Sequence, residues 1–226
     1  MTLDLHRAVL LPIDMQRGFD EPGWPRRWNH RVDANGLALI EQWRAARRPI
    51  IHVRHDSIEP NSTLRPGLSG NAFRPGFGPQ GDEPLVTKSV NSAFIGTDLD
   101  LQLKRLGAKH VVAFGISTDM CVSTTIRTGA NMGWDMILVP DACDCFDLPD
   151  GMGGTIPAEQ VQAVHVATLG FEFCRVMPTE ELIETLSPLG EGGSSRKLRQ
   201  GEVGLTRLPR LRAGVPTVSQ GRGLNA

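Results

Sequence analysis

The chain has 226 residues, enough to bury one sizeable hydrophobic core and more typical of one domain than of two. Hydrophobic residues make up 40% and charged residues 22%, as in an ordinary globular protein, and no run of about 18 apolar residues predicts a membrane span. The net charge is only −1, and the first residues lack the cationic start and cleavage site of a signal peptide, so we expect a cytoplasmic protein without a membrane partner.

Short apolar runs alternate with helical patterns, and capping hydroxyls, glycines and prolines mark their ends. The first part of the chain predicts, in order, a strand, a helix, a strand, an irregular stretch and a strand: Ala8–Ile13, Asp33–Arg47, Ile50–Arg54, 56–84 and Leu85–Lys88. The irregular stretch is rich in Pro and Gly. Stretches of this length inside a compact domain are usually functional lids or binding loops.

The second part of the chain continues the alternation. Helices and strands are predicted in turn, beginning with a helix, at Asp98–Leu106, His110–Gly115, Asp119–Met132, Asp135–Pro140, Pro157–Leu169, Cys174–Met177 and Thr179–Leu186. The strands are apolar at nearly every position, which indicates a parallel sheet covered on both faces. We therefore predict a three-layer α/β fold, a doubly wound, Rossmann-like six-stranded parallel sheet with helices on both faces. Its first and fourth strands should be neighbours at the centre.

The end of the chain differs in charge from the rest. Residues 191–226 contain seven Lys and Arg, two acids and no aromatic residue, for a net charge of +5. Such a segment cannot bury enough apolar surface to offset the entropy lost on ordering, and it lacks aromatic rings for stacking on bases. We therefore predict one domain over residues 1–190, a basic and flexible tail over 191–226, and no nucleic-acid partner.

Three residues with reactive side chains lie at or just after strand ends. Asp14 comes directly after the first strand, Lys88 closes the third, and Cys121 lies in the first turn of the helix after the fourth. Ligands of open parallel sheets bind beyond the carboxyl ends of the strands, so we expect these side chains to converge. Taken singly, each has a structural alternative: a turn former, a solvated lysine and a core cysteine. Their combination favours a catalytic site.

The chemistry expected of this set is nucleophilic. A thiol at a helix N-terminus has a lowered pKa, and a nearby lysine favours the same thiolate. The carboxylate of Asp14 can take the proton of the Cys121 thiol and later return it to a leaving nitrogen. Backbone N–H groups around Ser117 and Cys121 are expected to hold a developing oxyanion.

Aromatic residues follow two of these positions. Phe19, Trp24 and Phe94 are expected to line an apolar substrate pocket, although ordinary packing around the sheet edge is an equal alternative. Asn91 and Ser92 either contact the substrate or form a turn.

Three segments resemble the isochorismatase-like hydrolases. They are AVLLPIDMQRGF, TKSVNSAFIGTDL and VVAFGISTDMCVSTTIRTGANMGWDMILVPDAC. The first resembles the end of that superfamily's first strand, the second its lysine segment, and the third its nucleophile region. With the chain order and spacing, the resemblance runs from about residue 8 to residue 186.

The resemblance implies roles for matching positions. Asp14, Lys88 and Cys121 match the catalytic residues, and a cis peptide is implied between Ile116 and Ser117, before the oxyanion hole. It also implies a small-molecule substrate and assembly into dimers or higher oligomers. Most members hydrolyse an amide or related C–N bond through a thioester.

Two departures narrow this expectation. Nicotinamidases of the superfamily bind a metal through an Asp-x-His and further histidines after the second strand, whereas this chain has His52, His55 and Asp56 without the matching set. We therefore predict no metal and no cofactor. Isochorismatase itself cleaves a vinyl ether, and its best-known members lack the nucleophilic cysteine, so Cys121 favours acyl chemistry.

Three functional hypotheses follow. The first is a cysteine hydrolase that cleaves an amide or related C–N bond of a small molecule through a thioester. The second is vinyl-ether hydrolysis by Asp14 without a covalent intermediate, which activity in a Cys121→Ala variant would support. The third is a non-catalytic binding protein, which an unreactive Cys121 would favour.

Overall fold

A computed structural model of the chain describes residues 5–186, which form eight strands and five α-helices. The strands, β1 to β8, are Ala8–Ile13, His52–His55, Leu85–Lys88, His110–Gly115, Asp135–Leu138, Leu148–Pro149, Thr155–Ile156 and Cys174–Val176. The α-helices, α1 to α5, are Val32–Ala45, Leu99–Arg105, Ser123–Asn131, Ala158–Glu172 and Thr179–Leu186.

Six of the strands form one parallel sheet in the order β3-β2-β1-β4-β5-β8. The chain winds outward from β1 in one direction and from β4 in the other. Right-handed crossovers in opposite directions place helices on both faces, where α1 contacts α5 and α3 contacts α4. The predicted doubly wound α/β fold is confirmed, including the central β1–β4 pair.

The structure corrects some predicted element bounds. Strand β2 begins at His52 rather than Ile50, because Ile50 makes only an isolated bridge to Leu10. The helix predicted over Asp119–Met132 begins as one turn of π-helix, and regular α-helix follows only from Ser123. The hairpin of β6 and β7 was not predicted, because strands of two residues carry no detectable periodicity.

The core lies around the two central strands. Every residue of β1 is buried, as expected of a parallel strand covered on both faces. At the carboxyl end of the pair, Gly115 has a φ of 141°, and a Cβ built there would lie 2.0 Å from the carbonyl oxygen of Ile13. Only glycine permits this close approach of β1 and β4.

The irregular stretch over 56–84 contains one short 3₁₀ turn, Ser69–Asn71, and is anchored by buried side chains. The Asn71 amide donates to the carbonyl oxygens of His55 and Leu64, at 3.1 and 2.8 Å. The buried Arg74 guanidinium donates to Asp20 and Asp33, at 2.8 and 2.6 Å. These bonds hold the stretch against the carboxyl edge of the sheet.

Among the described residues, no helix combines the length and the apolar character needed to cross a membrane. The predicted tail over 191–226, and its predicted boundary at residue 190, lie outside the described residues.

Candidate active site

The structure brings Asp14, Lys88 and Cys121 together at the carboxyl edge of the sheet. Lys88 Nζ donates to Asp14 Oδ2 at 2.6 Å and to Cys121 Sγ at 3.3 Å. All three residues are buried, and Cys121, at 8%, is the most exposed of them. The convergence inferred from the strand ends therefore has a physical basis, because β1, β3 and β4 all end at this edge.

Asp14 leaves the strand through an unusual backbone conformation. Its φ is 54°, in the left-handed region that Asp enters more readily than most non-glycine residues. Its N–H donates to the carbonyl oxygen of Val53, and its own carbonyl accepts from the N–H of Gln16. Asp14 Oδ1 is buried and has no hydrogen-bond partner among the described residues, so it is available as a proton acceptor.

A turn of π-helix, Thr118–Val122, positions Cys121. The carbonyl oxygen of Ser117 accepts from the N–H of Val122, five residues on, at 3.1 Å, and the peptide bond between Ile116 and Ser117 is cis. The N–H and Oγ1 of Thr118 both donate to the carbonyl oxygen of Asp144, at 3.0 and 3.2 Å. π-Turns occur frequently at functional sites.

A fourth side chain, His55, joins the set. Its Nδ1 lies 3.0 Å from Lys88 Nζ, so each of the three ammonium protons has an acceptor: Asp14 Oδ2, Cys121 Sγ and His55 Nδ1. From the sequence, His55 was considered only as a candidate metal ligand, directly after the second predicted strand. Strand β2 pairs with β3 so that His55 lies opposite Lys88, a register that sequence periodicity did not reveal.

The arrangement does not suit a metal ion. Ligand atoms of Asp14, His55 and Cys121 lie within 4.8 Å of one another, a donor set that a transition metal could use. The ammonium of Lys88, however, is hydrogen-bonded to all three residues and supplies the positive charge at their centre.

The alternative ligand set considered from the sequence also fails to converge. His52 Nε2 contacts Glu83 Oε2 at 2.8 Å, and the carboxylate of Asp56 pairs with Arg54 at 2.8 Å. His52 and His55 are three positions apart on one strand, so they face opposite sides of the sheet.

The electrostatics of the site favour a protonated thiol at rest. Burial raises the pKa of the Cys121 thiol well above its usual range, and the Asp14 carboxylate raises it further, while Lys88 opposes both. Although burial opposes it, the pKa of Lys88 is raised because Asp14 and Cys121 favour its charged form. The lowered thiol pKa expected from the helix N-terminus was therefore wrong, because that expectation left out desolvation.

A cavity of about 250 Å³ opens beside Cys121. Within residues 5–186, no Asp, Glu, Lys or Arg lines it; the lining residues are Phe19, Trp24, Pro25, His55, Ser62, Leu64, Asn91, Ser117, Met120, Cys121, Phe146 and Leu148. Three of these residues form an aromatic wall, with ring centroids 4.9 Å apart for Phe19–Trp24 and for Trp24–Phe146. The cavity wall is thus mainly apolar and uncharged.

Two of the three predicted pocket aromatics, Phe19 and Trp24, line this cavity, but Phe94 does not. A Cβ at Gly129 would lie 2.9 Å from the Phe94 ring, which therefore packs in the core over α3. Phe146 was missed because it lies in an irregular segment without periodicity. Asn91, for which the sequence left two roles open, lines the cavity, with Oδ1 3.8 Å from Cys121 Sγ.

This combination defines a three-layer α/β protein with a buried cysteine, lysine and aspartate at one edge of a parallel sheet. The family model of the isochorismatase domain matches residues 8–166, and the chain belongs to the isochorismatase family. An isochorismatase-family protein of Bacillus subtilis is 34% identical over 177 residues, which are 78% of this chain and 95% of that protein.

Solved structures agree with this assignment. A crystal structure from Chromobacterium violaceum, described as an isochorismatase-family hydrolase, has a TM-score of 0.79 and 39% identity, covering 82% of this chain and 96% of that one. A cysteine hydrolase from Pseudomonas syringae has a TM-score of 0.75 and 26% identity, covering 82% and 95%. The protein is therefore an isochorismatase-family hydrolase.

Proposed function

We propose that the protein cleaves an amide or related C–N bond of a small molecule through a thioester on Cys121. The observation that carries the proposal is the hydrogen-bonded set of Asp14, Lys88 and Cys121 beside an apolar cavity. One relative is an amidase by name: Nicotinamidase 3 of Arabidopsis thaliana, 26% identical over 192 residues. A second, a streptothricin hydrolase of Streptomyces noursei, 28% identical over 171 residues, is a hydrolase of a small molecule by name.

In the first half-reaction, Asp14 Oδ1 accepts the thiol proton and Cys121 Sγ attacks the substrate carbonyl carbon. A C–S bond forms, and the carbonyl π electrons move to the oxygen, which the backbone N–H groups of Ser117 and Cys121 hold. The C–N bond then breaks as Asp14 returns the proton to the leaving nitrogen. Ammonia or an amine departs, and the acyl group remains as a thioester.

In the second half-reaction, Asp14 takes a proton from water, and the resulting hydroxide equivalent attacks the thioester carbonyl. The C–S bond breaks, the carboxylic acid leaves, and the proton returns from Asp14 to the thiolate. The raised pKa of Cys121 explains why a base in direct reach is needed, since few resting thiols would otherwise ionise near neutral pH. Lys88 stays charged throughout and stabilises the thiolate through its bond to Sγ.

The test is a panel of small primary amides, with ammonia release as the readout and mass spectrometry of the Cys121 peptide to detect the acyl adduct. Cys121→Ser and Asp14→Asn should abolish turnover. Cys174→Ser is the matched control, because Cys174 is a half-buried free thiol that begins β8, at the opposite end of the sheet. Ammonia release that survives Cys121→Ala would overturn the thioester route and favour hydrolysis without a covalent intermediate.

The homo-oligomer implied by the resemblance stays a prediction, which analytical ultracentrifugation of the full chain would test.

A further inference from the structure

The imidazole of His55 has a place in the site that the proposed mechanism does not use. It lines the cavity on one side and contacts Lys88 Nζ with Nδ1 on the other. Apart from the Cys121 thiol, four of the lining residues have polar side chains: His55, Ser62, Asn91 and Ser117. Any substrate in the cavity therefore meets His55 as one of its few hydrogen-bonding partners.

The contact with Lys88 determines the protonation of the ring. An ammonium group only donates hydrogen bonds, so Nδ1 must be the acceptor and carries no proton. Burial and then the Lys88 charge lower the pKa of His55, which keeps the ring neutral near neutral pH, although Asp14 and Asp56 favour its charged form. A neutral ring without a proton on Nδ1 has one on Nε2. No hydrogen bond to Nε2 is found among the described residues.

The backbone of His55 is fixed as firmly as its ring. Its N–H donates to Gln16 Oε1 at 2.8 Å, and its carbonyl oxygen accepts from Gln16 Nε2 at 3.0 Å. The Asn71 amide donates to the same carbonyl at 3.1 Å. Gln16 is fully buried, so this clamp is part of the core. A side chain with a fixed backbone and one fixed ring nitrogen presents its other nitrogen in one direction.

We infer that His55 is a specificity-determining residue, whose Nε2–H donates to an acceptor atom of an uncharged substrate in the cavity. Lys88 thus has two functions: it stabilises the sulfur, and it sets the tautomer of the residue that recognises the substrate. The inference relies on the proposed amide hydrolysis for the substrate class, but the tautomer and the donor role are independent of turnover.

The tautomer can be measured in the free protein by ¹⁵N–¹H correlation of the imidazole groups at pH 7. The chain has six histidines, so the His55 resonances are assigned by their loss in His55→Asn and, independently, in His55→Gln. We expect an unprotonated Nδ1 and a protonated Nε2. A proton on Nδ1, or a charged ring at pH 7, would overturn the inference.

The donor role is tested with iodoacetamide, an uncharged primary amide that alkylates the thiol as a C–S bond forms and iodide leaves. His55→Asn keeps an oxygen that can accept from Lys88 but removes Nε2–H, whereas His55→Gln places an amide N–H near the former position of Nε2. We expect alkylation of Cys121 to slow about tenfold in His55→Asn and to recover in part in His55→Gln. An unchanged rate in His55→Asn, with an unchanged melting temperature, would contradict the donor role.

The two proposals fail in different ways. If no amide is hydrolysed but the tautomer and the alkylation rates are as expected, the thioester route is wrong and the role of His55 stands. If amides are hydrolysed and the KM of His55→Asn matches that of the unmodified protein, the role of His55 is wrong and the thioester route stands.

Discussion

Asp14→Asn should make Cys121 more reactive toward alkylation while abolishing hydrolysis. The Asp14 carboxylate is the second-largest cause of the raised thiol pKa, after burial, and Asn is close to it in size but uncharged. Removing the carboxylate removes a charge that repels the thiolate, so the pKa of Cys121 must fall. The same substitution removes the proton acceptor of the proposed reaction.

The magnitude follows from the geometry. The carboxylate and Sγ lie within 4.8 Å of each other. Two unit charges at that distance interact by about 3.5 kcal/mol at an effective dielectric constant of about 20. Since about 1.4 kcal/mol corresponds to one pH unit, the pKa of Cys121 should fall by about 2.5 units. At any pH below both pKa values, the variant should react about three hundred times faster than the unmodified protein.

The assay is the rate of iodoacetamide modification of the Cys121 peptide between pH 6 and pH 10, followed by mass spectrometry with the Cys174 peptide as internal reference. Lys88→Gln should change the alkylation rate in the opposite direction. Lys88 lowers the pKa of the thiol, so its loss should slow alkylation. An alkylation rate that is unchanged or lower in Asp14→Asn throughout this pH range would refute the reasoning. Faster alkylation in both variants would indicate that loosened packing, and not charge, controls the thiol.

Three further predictions address the cavity and the fold. Because no Asp, Glu, Lys or Arg of the described part of the chain lines the cavity, Cys121 should discriminate against the charged reagent iodoacetate. The ratio of the alkylation rates with iodoacetamide and iodoacetate should be at least about tenfold larger for Cys121 than for free glutathione, measured in parallel. Trp24→Ala opens the aromatic wall and should lower kcat/KM for aromatic amides about tenfold, with little effect on aliphatic ones. Burial alone would raise the pKa of Glu83, but hydrogen bonds from Arg44, Gln80 and His52 outweigh it and lower the pKa to about 2. The ionised Glu83 carboxylate therefore stabilises the fold above about pH 4.5, and this contribution is lost as the pH falls toward 2. Because Glu83 is partly solvated, which screens its ion pairs, Glu83→Gln should cost only about 1–2 kcal/mol in urea unfolding at pH 7 and almost nothing near pH 2.

The sequence predicted the sheet well because parallel strands have a simple signature. β1, β3 and β4 were predicted with the bounds that the structure has. β1 and β4 are mainly apolar runs, and β3, with the sequence LVTK, is short and lies between irregular segments. The handedness of crossovers then limited the strand order. The predicted start of β2 is two residues too early. Ile50 and Ile51 are apolar and buried like strand residues, but they lie before the regular pairing with β3 begins.

Only the site residues that lie at or just after strand ends could be predicted from the sequence. Asp14, Lys88 and Cys121 follow three strand ends, and topology alone brings such residues together. The direction of a side chain in an irregular segment has no comparable rule. Phe94, six residues after Lys88, therefore looked like a pocket residue although it packs in the core, and Phe146 was overlooked.

The most informative disagreement concerns charge. From the sequence, a cysteine at a helix N-terminus beside a lysine suggested a resting thiolate. In the structure, however, the ammonium group of that lysine also pairs with the Asp14 carboxylate. Lys88 donates to Asp14 at 2.6 Å and to Cys121 at 3.3 Å, so the shorter bond goes to the carboxylate. A buried site that holds one ammonium can stabilise one anion at a time. In the proposed reaction, the proton therefore moves from sulfur to Asp14 in the step in which sulfur becomes the anion. The role proposed for the Asp14–Lys88 pair is thus to accept the proton and stabilise the thiolate as it forms, and not to keep the thiol ionised at rest.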